Sequence, residues 1–239
     1  MIERHLTRLR IRHGLSEAEE QVIRSLVADT RTIPARTIFI REGERLDHSA
    51  LLLDGFVGRN KDLPDGERQI TEVGIPGDFV DMHGFTLKRL DHNVQALSES
   101  VVALVPHERL LTLMDQHPRL TRLYWFGTSL DAAIHREWQL SLGRRSAMAR
   151  VATLFCELNI RLGLVGLTEP DGFKLPLTQT DLSECLGLTP VHVNRTLRQL
   201  REQKLAWFQR GYVRLLDEPG LRALAGFEDD YLYLPPNAL

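Results

Sequence analysis

The sequence predicts an α+β protein with an N-terminal antiparallel β domain, one long helix and a C-terminal winged helical domain. Three observations predict this fold class. Short apolar runs separated by glycine-bearing turns fill the region between Thr30 and Pro106. An uninterrupted helical pattern follows Pro118, and the remaining segment combines three helical stretches with a hairpin. We therefore place the domains at residues 1–117, 118–142 and 143–239.

Composition limits the class of protein. The chain has 239 residues, of which 43% are hydrophobic and 26% are charged, as in folded soluble proteins. It contains no apolar run of membrane-spanning length, and its N-terminus lacks the hydrophobic stretch of a signal peptide. Cys156 and Cys185 lie far apart in helical patterns, which argues against a disulfide framework. The sequence therefore predicts a cytoplasmic protein with no membrane partner.

The region from Thr30 to Pro106 has the pattern of an antiparallel β domain. Its apolar runs include "TIFI", "ALLL", "QITEV" and "VVALV". Gly43, Gly55, Gly66 and Gly77 fall between these runs at intervals of 11 or 12 residues. Glycine supplies the positive φ angle that tight turns require, so this spacing predicts strand–turn units in a sandwich or barrel.

A long amphipathic helix is predicted from Pro118 to about Leu142, with a length of about 35 Å. Its apolar seam alternates steps of three and four residues. The seam consists of Leu120, Leu123, Gly127, Leu130, Ile134 and Trp138. Periodicity alone leaves two interpretations open: packing on the chain's own β domain, or pairing with a second copy.

The stretch "DLSECLGLTPVHVNRTLRQL" (181–200) predicts a helix-turn-helix. Thr189 is a favoured N-cap, and Pro190 fits the first helical position because its missing N–H has no partner there in any helix. Gly187 ends the preceding helix. The connection between the two helices is therefore tight, and the proline starts a helix instead of breaking one.

The second helix of this motif has two faces. Val193, Leu197 and Leu200 are predicted to face the core, opposite Leu182 and Leu186. The outer face is predicted to read base edges in a DNA major groove, since Arg suits guanine, Asn suits adenine and an apolar group suits the thymine methyl. The candidate interface consists of Thr189, Pro190, Val191, His192, Asn194, Arg195 and Arg198, with Thr178, Gln179, Arg210 and Arg214 placed for phosphates.

Charge is distributed unevenly along a chain whose formal net charge is −2. Residues 143–216 contain 11 basic and 6 acidic side chains, whereas residues 1–142 contain 18 basic and 21 acidic ones. A local basic excess of this kind is the pattern of a protein in which one region meets phosphates.

With these residues in place, the chain resembles the Crp-Fnr superfamily of bacterial transcription regulators. The resemblance rests on "DG…PDG…PGDF", "LGRRSAMARVATLFCEL" and "LTQTDLSECLGLTPVHVNRTLRQLREQKL". It implies a cyclic-nucleotide-binding-like β-roll (a double-stranded β-helix), a dimerisation helix and a winged helix-turn-helix. It also implies a homodimer in which the long helix pairs with its copy, a palindromic double-stranded DNA site, and contact with RNA polymerase if the protein is an activator.

Departures from the family pattern bear on the effector. Asp81-Met82 stands where members that bind cyclic AMP have Gly-Glu, and no Arg occupies the phosphate position in "LDHNVQAL". A phosphate site without its Arg loses its main charge-assisted hydrogen bonds, so we expect no cyclic AMP binding. No Cys precedes Cys156, which excludes an N-terminal iron–sulfur cluster. We predict no cofactor and no metal; a haem, if present, would use His83 or His92.

The leading functional hypothesis is a homodimeric, sequence-specific DNA-binding regulator that is not an enzyme. Pro190 and Val191 stand where many members have Arg and Glu, so we expect a different operator sequence. One alternative is a cupin-like metal enzyme, although the nine histidines form no His-x-His or two-His-plus-carboxylate grouping along the sequence. The other is a sensor that acts through protein partners. The sequence names no effector and does not separate activator from repressor.

Overall fold

The computed structural model describes residues 2–234. Helices flank and follow a β-roll, and a small sheet lies near the C-terminus. The helices are α1 Glu3–His13, α2 Glu17–Ser25, α3 Gly84–Leu87, α4 His107–Gln116, α5 Pro118–Arg144, α6 Ala147–Gly163, α7 Gln179–Leu186, α8 Pro190–Glu202 and α9 Glu218–Ala225. The strands are β1 Asp29–Ile33, β2 Ile38–Ile40, β3 His48–Asp54, β4 Val57–Asp62, β5 Arg68–Gly74, β6 Asn93–Ala96, β7 Ser100–Pro106, β8 Thr168–Glu169, β9 Gly172–Lys174, β10 Ala206–Gln209 and β11 Tyr212–Leu215.

The β-roll consists of two antiparallel sheets. One has the strand order β1-β7-β3, and the other has the order β2-β6-β4-β5. The four turn glycines all have positive φ, between 79° at Gly43 and 101° at Gly77. Gly55 is additionally required because a Cβ there would overlap Glu99 and Ser100. The glycine spacing therefore predicted the corners of the roll correctly.

The N-terminal helices close one side of the roll. Ser16 and Glu19 form the reciprocal hydrogen bonds of a capping box at the start of α2. Leu6 of α1 and Ile23 of α2 are fully buried in a hydrophobic cluster with residues of α4 and the first half of α5. This cluster anchors the N-terminal segment and the long helix to each other.

The apolar seam of α5 packs on the chain's own cores. Leu120 and Leu123 belong to the N-terminal cluster, whereas Leu130, Ile134 and Trp138 pack with α6 and the C-terminal domain. Gly127 is exposed, and a Cβ there would meet no atom within 4 Å. The prediction of a dimer contact is therefore corrected for the five buried residues, and it stays a prediction for Gly127. Both kinds of packing produce the same periodicity, so the sequence pattern did not distinguish them.

A second stripe on α5 faces solvent. Neighbouring members are three or four residues apart, the spacing of a helix–helix seam. They are Arg122, Trp125, Ser129, Ala132, Arg136 and Leu140. Trp125 is 72% exposed and Leu140 is 49% exposed, although both are large apolar side chains. This stripe, and not the buried seam, is the face of α5 that is free in the single chain.

The C-terminal domain consists of α6 to α9 and a four-stranded sheet in the order β10-β11-β9-β8. Residues 168–174 contribute the strands β8 and β9, which the sequence analysis did not predict. Gly172 permits this pairing, because a Cβ there would overlap the backbone of Val213. No sequence pattern indicated α9, which packs on α6. In residues 2–234, no helix combines the length and apolar character needed to cross a membrane.

Candidate nucleic-acid interface

The turn between α7 and α8 is built by local capping chemistry. Gly187 ends α7 in the left-handed conformation, with φ 59° and ψ 43°. The hydroxyl of Thr189 accepts a hydrogen bond from the backbone N–H of His192, and Pro190 takes the first helical position. Both helix ends therefore form as the sequence predicted, and α8 begins at a fixed point relative to α7.

The inner face of α8 fixes the helix on the domain core. Val193, Thr196 and Leu200 are fully buried, and Leu197 is half-buried. The hydroxyl of Thr196 donates to the carbonyl of His192 within the same helix, so this buried polar group is satisfied. Packing on one side therefore leaves the opposite face of α8 turned to solvent.

The outer face of α8 carries the residues predicted to read bases. Val191 is 80% exposed, and Asn194, Arg195 and Arg198 are exposed as well. His192 is half-buried at the margin of this face. The amide groups of Asn194 and Gln179 exchange two hydrogen bonds, of 2.6 and 2.7 Å. These bonds bring the start of α7 onto the same surface as α8.

The positive charge of this surface is only partly compensated. Arg195 forms no ion pair with any acidic side chain in the described part of the chain, and Arg198 lies 3.8 Å from Glu202 in an exposed contact. A groove of about 530 Å³ runs between α8 and the strand β10. Three of its lining residues were not predicted: Arg201, Trp207 and Phe208. Helical spacing could have indicated Arg201, because it follows Arg198 by three residues on the same face of α8.

The residues predicted to contact phosphates are not equivalent. Arg210 lies exposed at the two-residue turn of the β10–β11 hairpin, with φ 52°. Arg214 is paired with Asp171 at 2.8 Å. The Thr178 hydroxyl donates to Asp181 at 2.7 Å within the N-terminal cap of α7, so its proton is not free for a phosphate oxygen. Contact between Thr178 and a phosphate stays a prediction, and it would require the hydroxyl to leave Asp181.

Comparison with known proteins places this geometry in a family. The model of the Crp-like helix-turn-helix domain matches residues 149–224, and that of the cyclic nucleotide-binding domain matches residues 30–117. The transcriptional activatory protein AadR of Rhodopseudomonas palustris is 31% identical over 213 residues, covering 88% of this chain and 87% of that protein. The chain belongs to the Crp-Fnr superfamily.

Other members support the same assignment. The transcriptional activator protein FnrA of Stutzerimonas stutzeri is 26% identical, covering 89% of this chain and 87% of that protein. The structure of FixK2 from Bradyrhizobium japonicum superposes with a TM-score of 0.74 at 26% identity, covering 85% of this chain and all of that chain. As a member of this superfamily, the chain is a DNA-binding transcription regulator with a cyclic-nucleotide-binding-like domain.

A cluster of charged side chains lies where the β-roll faces α5. Arg59 on β4 donates to Glu72 on β5 and to Asp131 on α5, with a shortest distance of 2.7 Å to each carboxylate. His135 lies 3.5 Å from Glu72. We call Arg59, Glu72, Asp131 and His135 the buried charge cluster. Its members come from three elements, β4, β5 and α5, so no local sequence motif indicated the cluster.

The two carboxyl groups of the buried charge cluster titrate differently. Burial raises the pKa of Glu72 to about 8. Burial acts in the same direction on Asp131, but the charge and hydrogen bonds of Arg59 outweigh it and hold the pKa of Asp131 at about 2. Arg59 therefore pairs most strongly with Asp131, while burial favours the neutral form of Glu72.

Glu72, Asp131 and His135 offer ligand atoms within 4.8 Å of one another, a grouping that the sequence did not reveal. The guanidinium of Arg59 already lies between the two carboxylates and supplies the positive charge there. His83 and His92 approach each other as well, with ring centroids 5.2 Å apart. His83 lies 4.0 Å from Asp131, so both histidines lie near the same cluster.

Asp81 and Met82, the two departures from the cyclic AMP pattern, are both buried. The carboxylate of Asp81 accepts a hydrogen bond from the backbone N–H of Ala50 at 2.7 Å. Burial raises the pKa of Asp81 to about 7. Asp81 therefore fastens the loop after β5 to strand β3, and its side chain is turned into the protein.

Proposed function

We propose that the chain acts as a cytoplasmic homodimer that reads a palindromic DNA site with α8 and is not an enzyme. The observation that carries the proposal is the outer face of α8, where Asn194, Arg195 and Arg198 are exposed while the opposite face is buried. An Arg without an acidic partner has its five donors available for a guanine edge and nearby phosphates. Arg210 on the wing adds a backbone contact that is independent of sequence.

The exposed stripe of α5 supports the dimer. Two copies of α5 that pair along this stripe would bury Trp125, Ala132 and Leu140, which are otherwise left in water. Burial of exposed apolar area of this kind is the main driving force for helix pairing. A two-fold axis along this pair would present two α8 helices about 34 Å apart, which matches successive major grooves on one side of DNA.

Selection of bound DNA from a random pool tests the reading residues. Wild-type protein should enrich a palindrome whose half-sites are about 10 base pairs apart, centre to centre. The Arg195→Ala variant should enrich a site that has lost its preference at one base pair per half-site. An enriched sequence without two-fold symmetry, or an identical consensus for both proteins, would contradict the proposal.

Sedimentation velocity tests the dimer. Trp125→Glu should shift the protein to a monomer and abolish high-affinity binding to the selected palindrome. Leu111→Glu is the matched control, because Leu111 is 54% exposed on α4, outside the stripe. Persistence of the Trp125→Glu dimer would show that a different surface pairs.

The β-roll is proposed to bind neither cyclic AMP nor haem. The side chain of Arg59 and its two carboxylate partners occupy the interior, and Asp81 adds a further carboxyl group that disfavours a phosphate. The cavity that His83 lines has a volume of about 100 Å³, which is too small for a porphyrin with its propionates. Absence of a Soret band and of cyclic AMP binding in purified protein is the expected result.

The protein is proposed to activate transcription and not to repress it. The supporting observation is that the relatives AadR and FnrA are both named as activators. Activation requires contact with RNA polymerase, so transcription in vitro from a promoter carrying the selected palindrome should rise when the protein is added. A fall in transcript from that template would indicate a repressor.

A further inference from the structure

A cavity of about 100 Å³ lies between α1, the loop after β5 and α5. Much of its wall is apolar or aromatic. The apolar part includes Leu9, Phe79, Leu123, Tyr124, Phe126 and Ile134. One end borders the buried charge cluster, and the other end lies beside the C-terminal turn of α1. A cavity with this wall suits the apolar body of a small organic molecule.

Four arginines line the same cavity, and three of them have acidic partners. Arg59 is paired within the buried charge cluster. Arg8 is paired with Asp78, and Arg161 lies 2.9 Å from both Asp78 and Glu157. These ion pairs balance the charge along most of the cavity wall.

Arg12 differs from the other three arginines. Its residue is 8% exposed, yet within residues 2–234 no carboxylate lies within ion-pair distance of it. Its Nη2 donates to the carbonyl of Leu232 at 3.2 Å, and its Nε is buried without a hydrogen-bond partner in that range. Burial, together with the charge of Arg161, lowers the pKa of Arg12 to about 10, so the group remains a cation at neutral pH.

His13 adds a second unsatisfied group at the same end of the cavity. Its Nε2 is buried and has no hydrogen-bond partner in the described part of the chain. Its ring meets Phe126 edge-on at a centroid distance of 4.8 Å. A buried cation and a buried imidazole nitrogen therefore lack partners beside an aromatic side chain, whereas most buried polar groups in proteins are satisfied.

This arrangement is costly in the absence of a ligand. Arg4, Arg8 and Arg12 follow one another at four-residue spacing on α1, and like charges at this spacing destabilise a helix. A buried charge without a partner is also among the most destabilising features of a folded protein. A side chain of methionine or leucine would fill the same position at lower cost. The retention of Arg here points to an anion that completes the site.

We propose that this cavity binds a small monocarboxylate with an apolar body. The carboxylate is held by the fork of Arg12 and by His13, and the apolar body lies against Phe126, Tyr124 and Leu123. An inorganic anion would leave the apolar wall uncovered, and at the opposite end the charge of Arg59 is already balanced by Asp131. The carboxylate therefore binds at the α1 end of the cavity.

The ligand would also be positioned to act on DNA binding. Arg161 belongs to α6, the first helix of the C-terminal domain, and it lines the same cavity as residues of α1 and α5. A molecule that contacts all three helices stabilises one arrangement of the β-roll relative to the C-terminal domain. This regulatory step rests on the proposed function, whereas the binding step does not.

Isothermal titration of the full-length protein tests the binding step. Acetate, hexanoate and benzoate are the probes, and benzamide is the uncharged counterpart of benzoate. We expect saturable binding of hexanoate or benzoate at one molecule per chain, and binding of benzamide at least tenfold weaker than that of benzoate. No saturable binding by any of the three acids, or equal affinity for benzamide and benzoate, would overturn the proposal.

Variants of Arg12 separate a ligand site from a structural role. Arg12→Gln should weaken benzoate binding at least tenfold, whereas Arg4→Gln, the same change near the start of α1, should leave it unchanged. Arg12→Met should raise the Tm of the ligand-free protein by about 2–4 °C, since it removes an uncompensated buried charge. A lower Tm for Arg12→Met, or unchanged binding by Arg12→Gln, would show that Arg12 only supports the fold.

Regulation is measured separately. A gel-shift titration on the selected palindrome with and without saturating benzoate should give different affinities for wild-type protein and the same affinity for Arg12→Gln. These titrations require DNA binding, whereas calorimetry does not. Loss of the proposed DNA function would therefore leave the calorimetric result intact, and a failed ligand site would leave DNA selection intact.

Discussion

Arginine has opposite roles in the two halves of the molecule. In the β-roll, Arg59 is buried between two carboxylates, and α6 extends a similarly buried Arg161 toward Asp78. On α8 and the wing, Arg195 and Arg210 are exposed and have no ion-pair partner in the described residues. The same guanidinium group holds the first region together and is left free in the second. Burial and the presence of nearby carboxylates, not residue type, decide which role it has.

Replacement of the buried Arg59 is expected to have the largest effect on stability. Arg59→Met keeps a similar volume but leaves Asp131 without its cation and leaves Glu72 with Arg161 alone. We expect the free energy of unfolding to fall by about 3–5 kcal/mol, as for other buried pairs that lose one partner. Urea denaturation followed by circular dichroism measures it.

The matched control is Arg41→Met, since Arg41 is exposed on the surface of the same domain. Its free energy of unfolding should stay within about 0.5 kcal/mol of wild type. A decrease of less than about 1 kcal/mol for Arg59→Met would mean that the carboxylates find water or another cation.

The β-roll should also respond to pH through Asp81. Its pKa is about 7 in the folded protein, above the ordinary value of 3.8, because of burial. The folded state therefore retains this proton while the unfolded state loses it, so stability falls as the pH rises from about 4 to about 7 and is level above that. The contribution of this group is on the order of 3 kcal/mol.

Asp81→Asn removes this titration and keeps the acceptor for Ala50. Between pH 4 and pH 8 the free energy of unfolding should fall less for the variant than for the wild type. The difference between the two decreases should be on the order of 3 kcal/mol. Urea midpoints at both pH values measure the difference. If the two proteins show the same change between pH 4 and pH 8, Asp81 is ionised in the folded protein across that range.

An exposed arginine should affect DNA binding and leave stability unchanged. Arg195→Ala is expected to weaken binding to the selected palindrome by about 1–3 kcal/mol for each base that the side chain reads, with little change on random DNA. Its urea midpoint should match that of wild type. Equal decreases in affinity for specific and random DNA would reassign Arg195 from base reading to phosphate binding.

The smallest expected effect lies on the wing. Arg210→Gln should weaken binding to all sequences and reduce the slope of log K against log salt by about 0.9 for each phosphate that the side chain neutralises. Arg214→Gln is the internal comparison, because its pairing with Asp171 leaves less of its charge available and predicts a smaller change in slope. A larger change for Arg214 would reverse the assignment of the two residues.

Features that depend on neighbours in sequence were predictable. Thr189, Pro190 and Gly187 encode the turn of the helix-turn-helix, because caps and turns are decided within a few residues. The turn glycines of the β-roll were predictable for the same reason. The outward face of α8 followed from helical spacing once the inner face was assigned.

Features that depend on distant contacts were not predictable. Arg59 meets Asp131 across 72 positions, and Arg12 meets Leu232 across 220. The buried seam of α5 was assigned to a dimer contact because packing within the chain and packing between two copies produce the same spacing of apolar residues. The strands β8 and β9 have two and three residues, too few to show alternation; β9 pairs with β11, and β8 pairs with β9.

The ion pairs of Arg161 limit how this protein can recombine with its relatives. Arg161 and Glu157 belong to the C-terminal domain, but Asp78 and Glu72, the other partners of Arg161, belong to the β-roll. A β-roll joined to another member's DNA-binding domain would keep the two carboxylates and would need a basic residue at the position of Arg161. These ion pairs therefore couple the stability of the β-roll to the domain that follows it.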